Sequence, residues 1–295
     1  MAHGVTLAVS GSRSAAAFVA RARMPWPKPP RAVVVDTRQR ALCERRSVAG
    51  GLCLSPRVFQ DRCGRLPSFR NVRWLLGTMG LTGSETAVVA GDDGTARDFV
   101  AGLLYLAGQR RVEVIRGSLT GWLDRHPRAA GTGRTRGVFR EAIYVAWPRT
   151  RLVVLHRELA AFLRHGPRAG LVDGGSGDRR RGPRAYDPIP GARSSLLAGL
   201  GQVLVAGSLP AGRRRLIVYG EGSYETLAYF ARLRMLGVPA RVVMNGRRDR
   251  SEHARAARVR GRSKFAAPPL FGWALAAAWL GVVVTTLVWR RTRRR

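Results

Sequence analysis

One order of events occurs twice in this chain, and it constrains the fold more tightly than composition does. An apolar, β-branched run enters a glycine-bearing loop, then a helix stopped by glycine, then a further apolar run. In the first copy Thr86–Ala90 (TAVVA) leads into Gly91-Asp-Asp-Gly-Thr95. A helix over Arg97–Ala107 is closed by Gly108, and Arg111–Ile115 (RVEVI) follows. In the second copy Leu216–Tyr219 (LIVY) leads into Gly220-Glu-Gly-Ser-Tyr-Glu-Thr226. A helix over Leu227–Leu236 is stopped by Gly237, and Ala240–Met244 (ARVVM) follows. The offset between the copies is about 130 residues, the mark of an internal duplication. Upstream, Ala32–Asp36 (AVVVD) and Gly170–Asp173 predict strands that each end in aspartate. Val72–Met79 and Leu155–Leu163 predict helices, the first ending at Gly80. Uninterrupted β-branched runs alternating with helices imply strands buried on both faces of a parallel sheet, hence an α/β fold.

Between and around the copies the chain changes character. Residues 1–30 hold two short apolar runs split by Gly11-Ser-Arg-Ser14 and then a proline-rich break, Met24-Pro-Trp-Pro-Lys-Pro-Pro30. No continuous apolar h-region with a cleavage site stands there, so a poorly ordered leader is expected. The first domain is expected over 31–127, a linker over 128–150 that contains Gly131–Arg136, and the second domain over 151–249. A basic juxtamembrane segment at 250–269 precedes Leu270–Trp289, an uncharged run of about 20 residues, long enough to span a bilayer as a helix. Arg290, Arg291, Arg293, Arg294 and Arg295 end the chain. Basic residues flank the span on both sides in nearly equal number. The absence of a signal peptide therefore decides the expected topology: a single C-terminal span with the body on the cytoplasmic side.

Charge narrows the partners. Lys and Arg total 52 against 18 Asp and Glu, a formal net charge of +34, and only Lys28 and Lys264 are lysine. Apolar content of 45% excludes a disordered polycation. A tethered basic body faces anionic headgroups, so the bilayer is the expected partner. No helix-turn-helix, RNA-binding motif or aromatic stripe argues for nucleic acid. Three cysteines, Cys43, Cys53 and Cys63, give neither a disulfide framework nor zinc spacing. Cys53, between Leu52 and Leu54, reads as a buried apolar residue. Cys63, between Arg62 and Arg65, is a candidate reactive thiol. No metal site and no cofactor are expected.

Taken in order, these segments resemble the tandem rhodaneses, two-domain thiosulfate sulfurtransferases. In copy one Val48-Ala-Gly-Gly51 occupies the place of the family's His-Ile-Pro-Gly-Ala turn, and Arg116-Gly-Ser-Leu-Thr-Gly-Trp-Leu123 is similar to its closing segment. Leu76-Gly-Thr-Met-Gly-Leu-Thr-Gly83 resembles the helix end before the loop strand. In copy two Ile189-Pro-Gly-Ala192 matches the turn, and Tyr219–Thr226 stands where the active loop belongs. The resemblance covers about Arg31 to Asp249. It implies two three-layer domains with parallel sheets and a loop of inward-pointing N–H groups that cradles an anion beside a thiolate.

Both loops depart from that pattern at the decisive place. The nucleophile position is Gly91 in copy one and Gly220 in copy two, and glycine attacks nothing. Asp92 and Asp93 in the first loop, and Glu221 and Glu225 in the second, repel an incoming anion by roughly 1–4 kcal/mol each. Gly94, Gly222, Ser223 and Thr226 complete the two degenerate cradles. Arg97 sits six residues after Gly91, the spacing of the Cys-x5-Arg loop of related phosphatases, and without cysteine it is expected to pair with Asp92 or Asp93. The expectation is a membrane-anchored, catalytically degenerate rhodanese-like protein acting as an interaction or anion-sensing module. The alternative is an active sulfurtransferase drawing on thiosulfate or a related donor.

Overall fold

The computed structural model describes residues 18–62, 64–137, 142–155, 158–159, 171–173, 193–194, 216–220 and 222–244. The first sheet holds β1 (Phe18–Arg21), β2 (Ala32–Asp36), β4 (Leu52–Cys53), β5 (Thr86–Ala90) and β6 (Arg111–Ile115), all parallel, in the order β1-β6-β5-β2-β4. The short strand β3 (Ser47–Val48) stands apart and pairs antiparallel with β7 (Ala130–Gly131). A second parallel sheet holds β8 (Val153–Val154), β9 (Leu171–Asp173), β10 (Arg193–Ser194), β11 (Leu216–Tyr219) and β12 (Ala240–Val243), in the order β10-β9-β11-β12-β8. Read from the opposite edge, the second sheet repeats the order of the first. The duplication seen in the sequence is thus a duplication of topology.

The helices follow from caps and apolar faces. Helix α1 (Arg40–Arg45) follows β2, and α2 (Phe69–Thr78) opens on Ser68, whose hydroxyl accepts from the Asn71 amide. Helix α3 (Gly94–Ala107) opens on Asp93, whose carboxylate accepts from the Thr95 amide at 2.8 Å. It closes on Gly108 at φ +108, a left-handed conformation that glycine adopts without strain. Helix α4 (Leu119–Arg125) opens on Ser118 and ends at His126, and α5 (Ser223–Met235) is followed by Gly237 at φ +77. Residues 96–107 of α3 are all buried, because the helix lies between its own sheet and α5. Gly102 permits the close crossing: a Cβ there would stand 3.0 Å from the Leu227 carbonyl oxygen and 3.2 Å from Ala231 Cβ. One apolar core, with Val35, Phe99 and Leu103 from copy one and Val218, Leu227 and Phe230 from copy two, runs through this contact.

Several sequence expectations change here. Residues 18–30, within the segment expected to be poorly ordered, are part of the fold. Phe18–Arg21 forms the edge strand beside β6, where Phe18 stacks on Tyr105 and Arg21 pairs with the buried Glu113. Glu113 interrupts the apolar run of β6 because Arg21 and Arg111 both neutralise it. The expected linker is not free either. Ala130–Gly131 pairs with β3, and the Arg134 carbonyl accepts from the Cys53 amide at 2.9 Å. Cys43 and Cys53 are joined in a disulfide with Cα atoms 5.7 Å apart, so Cys53 is no plain apolar residue. The helix expected over Leu155–Leu163, for the most part, lies outside the described residues, as do the whole Leu270–Trp289 run and Cys63. Among the described residues no helix is long and apolar enough to cross a membrane.

Candidate functional site

In a parallel sheet ligands bind beyond the carboxyl ends of the strands, where loops gather over the helix N-termini. At that end of the first sheet, beyond β2, β4 and β5, lies a cleft of about 800 Å³. The turn into α1, including Arg38 and Arg40, forms one wall, and Ser55–Gln60 with Arg57 forms another. The loop after β5, with Asp92 and Asp93, forms the third. Tyr224 enters from α5, so the second copy supplies part of the cleft.

Buried charge fixes the floor. Asp36, at the end of β2, is fully buried. Its carboxylate accepts from the Arg38 guanidinium in two-pronged fashion, from the Arg38 amide at 3.0 Å and from the Ser47 hydroxyl at 2.8 Å. Burial works against the Arg38 charge, but the Asp36 carboxylate overcomes it and holds the pKa above the ordinary arginine value. Arg38 also donates to the Thr120 hydroxyl at 2.9 Å and so ties the β2 turn to α4. The Asp36-x-Arg38 spacing carries this arrangement in the sequence. A buried strand-end aspartate calls for a cation, and the residue two places on can supply it.

The first loop is closed by its own bonds. A Cβ on Gly91 would stand 2.1 Å from Thr37 Oγ1, a hydroxyl that donates to the Ala90 carbonyl at 3.2 Å. The place where a cysteine would project is filled by threonine. Asp92 does not meet Arg97. It accepts from Ser118 Oγ at 2.7 Å, the Thr120 amide at 2.9 Å and Thr120 Oγ1 at 2.6 Å. Burial tends to raise the Asp92 pKa, but the bonds from Thr120 and Ser118, with Arg38 nearby, outweigh it and leave the carboxyl below its ordinary value. Asp93 caps α3 and accepts from the Tyr224 hydroxyl at 3.2 Å. Burial, reinforced by Asp93, raises the Tyr224 pKa, so this hydroxyl stays a donor.

Arg97 departs from expectation in the same way. Its Nη1 donates to the Gly91 carbonyl at 3.3 Å and the Gly117 carbonyl at 3.4 Å. The nearest acid is Asp98, 3.9 Å from Nε. Asp98 is fully buried and paired across the two copies with Arg232 of α5 at 2.6 Å, with Arg116 at 3.5 Å. In the second loop, Gly220 is buried at the end of β11, and Gly222 opens α5 with no side-chain cap. Ser223, Glu225 and Thr226 belong to the first turn of α5 rather than to a loop, and Thr226 Oγ1 donates to the Gly222 carbonyl at 2.6 Å. Glu221 lies outside the described residues. Sequence reading missed Thr37, Arg38, Asp98, Tyr224 and Arg232 as site residues. Among the described residues no three His, Cys, Asp or Glu side chains gather as metal ligands.

No protein-family model matches the chain, and no characterised protein matches it in sequence. Solved structures do match in fold. YnjE superposes with a TM-score of 0.58 at 16% identity over 73% of this chain and 59% of YnjE. The anaerobic ergothioneine biosynthesis enzyme of Chlorobium limicola, in complex with trimethyl histidine, gives 0.58 at 16% identity over 76% of this chain and 63% of its own. SseA of Escherichia coli, described by the "Rhodanese" fold and the mechanism of 3-mercaptopyruvate sulfotransferases, gives 0.57 at 15% identity over 74% of this chain and 93% of its own. The chain thus spans about three fifths of the length of the first two and nearly all of the third. These likenesses show a rhodanese-like α/β fold.

Proposed function

We propose that this chain is a tandem rhodanese-like protein without sulfur-transfer chemistry, an anion-binding module held at a membrane by Leu270–Trp289. The observation that carries the reading is the Thr37 hydroxyl at the place a Gly91 side chain would need, 2.1 Å from its Cβ. A loop that had merely lost its cysteine would keep room for one. Here the room is occupied by a hydrogen-bonded group, and the loop carboxylates Asp92 and Asp93 are committed to structural bonds. In copy two Gly220 stands at the corresponding strand end, again without a nucleophile. The net charge of +34 supports anionic headgroups as the surface the body faces.

The Cys43–Cys53 disulfide bears on sidedness. Structural disulfides persist in oxidising compartments, so the bond supports a body outside the cytoplasm, against the cytoplasmic side expected from the sequence. A reporter fused to residue 1 is then active only outside the cytoplasm, and cytoplasmic activity defeats that placement. The function itself is tested by thiosulfate-to-cyanide transfer with the full-length chain in detergent. The expected rate is that of the no-protein control, and turnover above it establishes the sulfurtransferase reading instead.

A further inference from the structure

The stretch Ala142–Trp147, between the two copies, is held on its inner side and bare on its outer side. Tyr144 is buried and donates from its hydroxyl to Gln109 Oε1 at 3.1 Å. Ala146 packs so near the loop before β5 that a Cβ on Gly83 would stand 2.5 Å from its own. The residues between them turn outward: Ile143 is 60% exposed, Val145 59% and Trp147 83%. Alternate side chains of an extended segment take opposite faces, and the outer face of a surface segment is ordinarily polar. The amides of Gly137 and Ala142 donate to the Thr78 and Gly77 carbonyls, which lays this stretch beside the end of α2, where Trp74 is exposed. Four large apolar side chains thus lie in the open on one side of the first copy.

Guanidinium groups lie over both tryptophans. Arg73 stands 5.7 Å from the Trp147 ring centre and donates to the Tyr144 carbonyl at 3.0 Å, and Arg136 stands 5.1 Å from the Trp74 ring centre. Arg70 lies one turn before Trp74 on the same face of α2. Among the described residues no acid forms an ion pair with any of these three arginines. Glu85, the acid that acts on Tyr144, is committed to the Thr82 and Gly83 amides and to Gln109. Arg140 and Glu141 lie outside the described residues and offset each other in formal charge. We propose that this face, Trp74, Ile143, Val145 and Trp147 with Arg70, Arg73 and Arg136, docks on the anionic surface of the bilayer. This rests on the membrane half of the reading above and says which side of the body meets the lipid. A dry protein interface would bury the guanidinium groups and demand an acid opposite each. A bilayer surface meets both needs at one depth: indole rings settle among the headgroups, and arginine side chains extend to the lipid phosphates. Ile143 and Val145 then reach the acyl boundary.

The test uses the full-length chain with Cys63→Ser, carrying a fluorophore at Val145→Cys. It is reconstituted in vesicles of phosphatidylcholine alone or of equal parts phosphatidylcholine and phosphatidylglycerol. Quenching of the fluorophore by lipid spin-labelled at the headgroup is the readout. Quenching is expected to be severalfold stronger in the anionic vesicles. It should fall to the phosphatidylcholine level with Ile143→Ser plus Trp147→Ser, and likewise with Arg70→Gln plus Arg136→Gln. All four positions are exposed, so either pair of changes keeps the fold and the second decides if the first does not. Quenching that is equal in the two lipids, or indifferent to both pairs, overturns the docking face. Shielding of the fluorophore in detergent that grows with protein concentration shows a second copy on this face and overturns it too. A chain that floats with the vesicles while residue 145 stays unquenched leaves the membrane reading standing and sinks this inference alone. A chain that does not float with them sinks the membrane reading itself.

Discussion

Copy one and copy two share a strand order but differ in how the loop after the fourth strand is closed. In copy one Thr37 fills the space beside Gly91, Asp92 is bound by Ser118 and Thr120, Asp93 caps α3, and a disulfide pins the neighbouring edge of the sheet. In copy two Gly220 is followed by a helix whose cap position, Gly222, offers no side chain, and the copy contains no cysteine. The two loop glycines therefore stand in different settings. Copy one packs Thr37 against Gly91, and copy two leads from the buried Gly220 into a helix that opens on Gly222.

The largest expected effect lies where the copies meet. Asp98→Ala removes the buried carboxylate that pairs with Arg232 and faces Arg97 and Arg116, and is expected to cost about 3–5 kcal/mol, read by denaturant unfolding of the full chain. Loss of that size ties the two copies into one cooperative unit, and a near-neutral change separates them. Next in size, replacing both Cys43 and Cys53 by serine is expected to cost roughly 2–4 kcal/mol. Hydrogen exchange should then quicken at Leu52–Cys53 and Ala130–Gly131 before it does at Leu216–Tyr219. Equal quickening in both copies contradicts a lock confined to copy one.

A smaller effect probes the loop itself. Gly91→Ala forces its methyl group against Thr37 Oγ1 and is expected to cost about 1–3 kcal/mol. Adding Thr37→Ala removes the obstacle and should recover most of that loss, because the next neighbour, Thr37 Cβ, lies at 3.4 Å. A double variant no better than the single one refutes the crowding at Gly91. Smallest is the acid limb of stability. Burial acts to raise the Glu85 pKa, but bonds from the Thr82 backbone, its own backbone, Thr82 Oγ1 and Gln109 outweigh it. Like Asp92, Glu85 therefore titrates below its ordinary value. A carboxyl lowered by folding stabilises the folded chain above its unfolded pKa, and that contribution is lost as pH falls through the folded value. Thermal stability should thus decline below about pH 4.5, the ordinary glutamate value. Glu85→Gln should flatten the decline, and an unchanged slope shows that other groups govern it.

Much of this architecture was legible because it is local. Continuous runs such as AVVVD, TAVVA and LIVY announced central parallel strands, and Gly108 announced a helix end that holds to the residue, whereas the helix expected to reach Leu236 before Gly237 ends at Met235. The rest is non-local. Phe18–Arg21 is too short and too basic to read as a strand until β6 lies beside it and Glu113 takes up Arg21. The disulfide joins α1 to β4 across a turn, and spacing alone does not reveal it. Asp93, Arg97 and Asp98 were visible as charges, but their partners are set by chain far away in sequence: Tyr224, Gly117 and Arg232. Six-residue spacing between Gly91 and Arg97 suggested a phosphate loop, whereas the packed chain uses Arg97 to hold two carbonyls.

The claim that the sulfur chemistry is gone is met most directly by intact-mass measurement of the full-length chain after incubation with thiosulfate. The account predicts an unchanged mass, with the Cys43–Cys53 bond intact and no sulfur added anywhere. A persulfide adduct mapped to Cys63, or to a reduced Cys43 or Cys53, would contradict it, because a working nucleophile would then stand outside both glycine positions.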